Sequence, residues 1–242
     1  MASFDRSIWL ESYDRHALPK FPCPRCQRGS LIADVSKLQV IEPEFSKSIH
    51  KDSGWDSEWE SERFSLIFMC NETACGETCF AIGDTVVEES LPEVGRYSYS
   101  RYLRPRAFFP SLCLFRIPEP VPYNISLEIK KSFALYWTDL NAAANRLRAS
   151  VEKILKHQES LAEAQQLRSL SKPKKLITLI KQFGTDNAED SEALNALRMI
   201  GNLGFHGSEV HREPLLNAYE MYEASLAELY GKRNKQPRDI RT

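Results

Sequence analysis

No run of apolar residues in this 242-residue sequence approaches the roughly 18 positions that a membrane-spanning helix requires, so no helical span is expected. Met1 to Leu10 mixes polar and charged residues where a secretory signal needs an unbroken apolar core, and the expected compartment is the cytoplasm. An excess of charge of either sign is also missing: 32 lysines and arginines stand against 33 aspartates and glutamates, a net charge of −1. The whole molecule therefore exerts no long-range pull on polyanions, and any nucleic-acid contact must come from a local basic face. No phosphate-cradling glycine-rich loop, no G-x-S-x-G elbow and no H-E-x-x-H pair occurs, which leaves P-loop ATPase, serine hydrolase and metalloprotease readings without support.

What is present begins with cysteine. Six cysteines in a chain expected to be cytoplasmic point to thiols and metal rather than disulfides. Phe21-Pro22-Cys23-Pro24-Arg25-Cys26 is a C-P-x-C knuckle, and Cys70-Asn71-Glu72-Thr73-Ala74-Cys75-Gly76 supplies a second close pair. Four thiolates, Cys23, Cys26, Cys70 and Cys75, can form the tetrahedron that a structural zinc ion takes. The second spacing is wider than the common C-x2-C, and Cys79 is a rival to Cys75 as fourth ligand; otherwise Cys79 and Cys113 are small core hydrophobes. A site filled by four sulfurs keeps no position for water, so its expected role is to staple strands.

Around these pairs the pattern reads as strand: residues 31–35 and 38–40 leave the first knuckle, 64–69 run into the second pair and 79–84 lead away from it. Residues 49–62 read as an exposed insertion whose Trp55 and Trp59 are expected to bury against the strands. Tyr97-Ser98-Tyr99-Ser100-Arg101-Tyr102, continued by Arg104 and Arg106, fits a half-buried edge strand; interleaved aromatics and arginines are also what stacking against single-stranded nucleic acid uses. Pro110, Pro118, Pro120 and Pro122 then mark a linker. This gives a β domain over residues 1–117, a helical domain over 118–231 and a basic tail over 232–242, expected to be disordered.

In the second half Ile125, Ile129, Phe133 and Trp137 share one face of a first helix, and Leu140, Ala143, Ala144, Leu147, Val151, Ile154 and Leu155 follow the helical period in a second. Arg148 lies on or beside that packed stripe and calls for a partner such as Glu152. A third helix begins near Pro173 and stops at Gly184, with Lys172, Lys174, Lys175 and Lys181 on its flank, either a solvated face or an RNA contact. An acidic stretch opens a fourth, which delivers Arg198, Asn202 and His206 at i, i+4 and i+8, on one face if the helix continues. Gly201 and Gly204 equally suit a helix end, with His206 in the loop beyond. Leu215, Tyr219, Tyr222, Leu226 and Tyr230 line a last helix.

Arg148 and Glu152 on the second helix, with Gly201-Asn202-Leu203-Gly204-Phe205-His206 after the fourth, resemble the family catalogued as domain of unknown function 4145, and its longer members share the C-P-x-C knuckle, second cysteine pair and proline-marked entry. The resemblance covers most of the chain. It implies an α+β protein: a small N-terminal zinc-ribbon-like β domain followed by a C-terminal HEPN-like up-and-down helical bundle. Many HEPN-like domains are RNA-cleaving effectors of prokaryotic defence, including abortive-infection and restriction systems, whose site is assembled across a homodimer. The implied chemistry is metal-independent: a 2′-hydroxyl attacks the adjacent phosphate while histidine handles a proton and a cation or polar group steadies the phosphorane.

On this chain His206 matches the histidine and Asn202 the polar residue. Gly201 stands where the nucleolytic members have arginine, and Arg198, one turn earlier, is the substitute. Arg148, Lys174 and Lys175 are the implied RNA contacts, and the implied partners are a second copy of the chain, RNA and another defence-system protein. The alternative is a non-catalytic binding or regulatory module that uses the bundle for dimerisation or partner contact.

Overall fold

The first half of the chain forms one antiparallel sheet. The computed structural model describes residues 4–90, 98–166 and 209–231. Its strands are β1 (Tyr13–Asp14), β2 (Phe21–Pro22), β3 (Ser30–Ile41), β4 (Arg63–Cys70), β5 (Thr78–Ser90) and β6 (Ser98–Phe109), in the spatial order β1-β6-β5-β4-β3-β2. In β4 the residues Phe64, Leu66, Phe68 and Cys70 are buried and those between them are not, the period of two that one covered face imposes. Phe21 sits at the centre of the core, with ring centroids 5.6 Å from Phe68, 5.4 Å from Phe108 and 5.6 Å from Trp9.

Residues 31–35 and 38–40, expected as two strands, are one strand whose register with β4 shifts between Asp34 and Gln39. The connection to β4 carries a short helix, α1 (Glu44–Ile49), and a 3₁₀ turn at Ser57–Trp59. Burial of the insertion's tryptophans does not occur. Trp55 and Trp59 are 38% and 49% exposed, because the covered face is already filled by phenylalanines and Trp55 packs instead on the His50 ring, centroids 4.8 Å apart. On its outer side β6 pairs only with the two residues of β1, so it is largely an edge strand. Its arginines are held by carboxylates: Arg101 by Glu60 and Glu62, Arg104 and Arg106 by Asp84.

The chain divides into two compact units between Cys113 and Leu114. In the second, α2 (Tyr123–Leu135) starts after Pro122, whose fixed geometry suits a helix entrance, and buries Ile125, Ile129 and Phe133 along one stripe. α3 (Leu140–Gln166) is capped by Asp139, whose Oδ1 accepts the Ala142 amide at 2.8 Å. It buries Ala143, Ala144, Leu147, Val151, Ile154 and Leu155, as the helical period predicts. α4 (Arg212–Gly231) buries Leu215, Tyr219, Tyr222, Leu226 and Tyr230. Two polar pairs cross this core: Tyr219 Oη lies 2.6 Å from Ser132 Oγ, and Tyr222 Oη lies 2.7 Å from Ser150 Oγ. The helices expected near Pro173–Gly184 and up to residue 206, and the tail over 232–242, lie outside the described residues. No helix among the described residues is long and apolar enough to cross a membrane.

Candidate metal centre

The first knuckle is built by backbone bonds that close a tight loop after β2. Cys23 N donates to Gly29 O and Gln27 N donates to Cys23 O, each at 3.0 Å, and the turn requires Gln27 in the left-handed region at φ 52°. Gly29 N then donates to Cys26 Sγ at 3.4 Å. The second loop repeats the scheme at the end of β4. Cys70 N donates to Glu77 O at 2.8 Å, Glu72 N donates to Cys70 Sγ at 3.4 Å, and the residue after Cys75 is Gly76 at φ 56°.

Pairing between β3 and β4 brings the loops together. Leu31 sits opposite Cys70, Asn71 N donates to Ser30 O at 3.0 Å, and the Asn71 side chain returns a bond from Ser30 N at 2.8 Å. The approach leaves no room for a side chain on Gly29, where a Cβ would lie 2.7 Å from Cys70 Sγ and 2.8 Å from Glu72 Cβ.

The Sγ atoms of Cys23, Cys26, Cys70 and Cys75 all lie within 4.8 Å of one another, with Cys23 to Cys75 at 3.8 Å and Cys26 to Cys70 at 3.7 Å. A tetrahedron with metal–sulfur bonds of about 2.3 Å has edges of about 3.8 Å, so these separations suit four thiolates around one ion. Electrostatics within the group is uneven. Amide donors, Gly29 first and then Arg28, lower the Cys26 thiol to about 6, whereas burial pushes Cys70 up to about 12. A cation among the sulfurs would favour the thiolate form at each.

Cys79 is not part of the group. Its thiol donates to Pro110 O at 3.1 Å, and burial, helped by the negative charge of Glu77, pushes it up to about 12, so it remains a neutral core residue. All six cysteines are free of disulfides.

Of the other expected site residues, Arg148 is described. Its guanidinium pairs with Glu152 at 3.2 Å, one turn along α3, while its Nε is buried without a hydrogen-bond partner. Lys174, Lys175, Arg198, Asn202 and His206 lie outside the described residues. Sequence reasoning missed the left-handed Gln27 and the close approach at Gly29; the glycine directly after Cys75 was the one available hint, since glycine adopts that backbone freely. It also missed a cationic group on the helical unit. Lys131, Arg146 and Lys153 converge on the buried Glu128 at 3.4, 3.3 and 2.9 Å, three positive charges against one negative. Arg146 and Lys153 come from α3, out of reach of any local sequence pattern.

These features define a mixed α/β protein: an antiparallel sheet whose two loops gather four cysteines, followed by helices. Residues 130–242 match the family model described as Domain of unknown function (DUF4145). Residues 11–109, which include the four clustered cysteines, match a separate model, Domain of unknown function (DUF8608). No curated protein and no solved structure matches the chain.

Proposed function

We propose that the four thiolates of Cys23, Cys26, Cys70 and Cys75 hold one structural zinc ion, making the first unit a zinc-ribbon-like module. The observation that carries this is the pair of Sγ separations, 3.8 and 3.7 Å, equal to a zinc–thiolate tetrahedron's edge. When bound, the ion supplies a staple between the loop after β2 and the loop after β4. Four sulfurs saturate it, so the residues left to do chemistry lie elsewhere.

The functional reading is an HEPN-like, RNA-binding and RNA-cleaving protein of a prokaryotic defence system, working as a homodimer with another defence protein as further partner. The family match over residues 130–242 supports the bundle, and the three cations around Glu128 support a phosphate contact on α2 and α3. In this reading the substrate's 2′-hydroxyl attacks the adjacent phosphorus and the 5′-oxygen leaves. His206 moves the proton, while Arg198 and Asn202 steady the charged phosphorane. No metal takes part in that step. A second reading, a non-catalytic binding or regulatory module, is favoured by one feature: Gly201 stands before Asn202 where a cation would touch the phosphate.

The test is incubation of the zinc-loaded protein with labelled single-stranded RNA, in a weak chelator that leaves the thiolate-bound zinc in place, beside His206→Ala and a DNA control. Cleavage of RNA by the wild type alone is the expected result. Binding without cleavage transfers the assignment to the regulatory module, and absence of RNA binding by a folded, zinc-loaded sample overturns the RNA reading altogether.

A further inference from the structure

We propose that Glu42, His50 and Glu60 form a second metal site, for a divalent first-row cation held through nitrogen and oxygen rather than sulfur. The three residues come from the start, middle and end of the connection between β3 and β4. Glu42 follows β3, His50 caps the C-terminus of α1, and Glu60 precedes β4. One ligand atom from each lies within 4.8 Å of the others. His50 Nε2 and Glu42 Oε1 are 3.0 Å apart, about the edge of an octahedron with bonds of roughly 2.1 Å.

Charge is the first reason to place a cation there. The side chains of Glu42, Glu60 and Glu62 are only 16%, 12% and 13% exposed, and the guanidinium that pairs with two of them belongs to Arg101. Three carboxylates against one arginine leave an excess of two negative charges, in surroundings where water offsets little of the repulsion. A divalent cation removes that excess.

The second reason is the shell around the candidate ligands. Ser46, 1% exposed, donates from Oγ to Glu42 Oε1 at 2.7 Å and accepts the Ser61 amide at 2.9 Å, tying one ligand to the backbone beside another. Arg101 NH1 donates to Glu60 Oε1 at 3.0 Å and its NH2 bonds Oε2, which fixes the plane of that carboxylate. A carboxylate has about four acceptor positions, so Glu60 can serve Arg101 and a metal together. Trp55 packs against the imidazole of His50 and sets its tilt. Supports of this kind orient ligands at metal sites and account for a good part of their affinity.

One imidazole and two carboxylates select Mn2+, Co2+ or Zn2+ over the soft ions that thiolates attract, and they leave positions for water. The site would pin the connection carrying α1 to the sheet at β4, independently of the cysteine centre.

The test uses Mn2+, a hard ion that the zinc-filled thiolate site will not take, added to the full chain at one zinc per molecule. Loss of the free Mn2+ resonance and quenching of tryptophan fluorescence are read together. The expected result is saturable uptake of one Mn2+ per chain, at least about tenfold weaker in His50→Ala and Glu60→Gln with zinc content unchanged. The double variant Trp55→Phe with Trp59→Phe, the second tryptophan directly preceding Glu60, should keep the uptake and lose most of the quench. No saturable uptake by the wild type, or undiminished uptake by both ligand variants, overturns the site and leaves Glu42 and His50 as a simple ion pair. If the ligand variants fail to fold, the decision rests on that double tryptophan variant: a quench that survives both substitutions places the metal elsewhere and overturns the proposal.

Discussion

The Sγ atoms of Cys26 and Cys70 lie 3.7 Å apart although 44 positions separate them in the chain. Neither is placed by its own loop alone. Cys26 is aimed by the turn at Gln27 and by the Gly29 amide, Cys70 by the end of β4, and the antiparallel register of Leu31 with Cys70 superimposes the two. Sheet and cysteine cluster are thus coupled: the strand register sets the distance between the thiols.

Metal removal tests that coupling. Stripping the protein with a strong chelator, or substituting Cys26→Ser or Cys70→Ser, should lower the thermal midpoint of the sheet unit by about 10 °C or more. A loss of even 2–3 kcal/mol shifts a domain of this size by roughly 4–8 °C per kcal/mol. Calorimetry with zinc analysis on the same sample is the measurement. A midpoint that stays put while zinc is lost would refute the staple.

Gly29→Ala should act through the same site without touching a thiol. Its new methyl would lie 2.7 Å from Cys70 Sγ, so the loops must part and the tetrahedron open. A fall in metal affinity of about tenfold or more is expected from so direct a displacement. Competition of bound Co2+ against a chromophoric chelator reads it, and wild-type affinity in the variant would show that the loop relaxes freely.

Asp84 gives a pH dependence whose sign can be worked out. Burial pushes its carboxyl upward, but bonds from Arg104 at 2.7 Å and Arg106 at 3.0 Å win and hold it well below the usual carboxylate range. A depressed value in the folded state contributes stability above the unfolded aspartate value of about 3.9 and loses it as pH falls from there towards the folded value. Asp84→Asn should cost about 1–2 kcal/mol at pH 7, with the gap to wild type narrowing below about pH 4. Urea midpoints at pH 7 and pH 3 decide it; a gap that widens in acid contradicts the assignment.

In the helical unit, Tyr219→Phe should cost about 1–2 kcal/mol by urea unfolding, since it leaves one side of the buried Ser132 hydroxyl without its partner. Ser132 Oγ also bonds Ala143 O at 2.7 Å, which Tyr219→Phe leaves intact. The double variant with Ser132→Ala should therefore cost less than the sum of the singles. Strict additivity would mean that the two hydroxyls do not interact.

Much of this architecture was legible before any coordinates. The buried stripes of α2, α3 and α4 follow from a period set by helix geometry, and Arg148 found Glu152 because i and i+4 adjoin on any helix. The four clustered cysteines were legible as two close pairs. Three things were not. Trp55 and Trp59 were expected inside, but the aromatic core around Phe21 has no place for them. The arginines of β6, read first as part of a half-buried edge strand, also fitted a nucleic-acid stripe, and only the structure shows Asp84, Glu60 and Glu62 opposite them. Glu42, His50 and Glu60 share no spacing that marks a site, because their meeting depends on how the whole connection folds back.

The sequence by itself determined where β4 and the helices α2, α3 and α4 form and which thiols could act in pairs, because periods of two and of 3.6 and close cysteine spacings are properties of the local backbone. Tertiary structure alone decided that Cys75 joins the group while Cys79 turns to Pro110, and that three cations meet on Glu128. Each of those outcomes depends on the register of strands, or the packing of helices, across tens of residues. A shift of one position in β4 against β3 would send Cys70 to the opposite face of the sheet and leave the other three thiols without it.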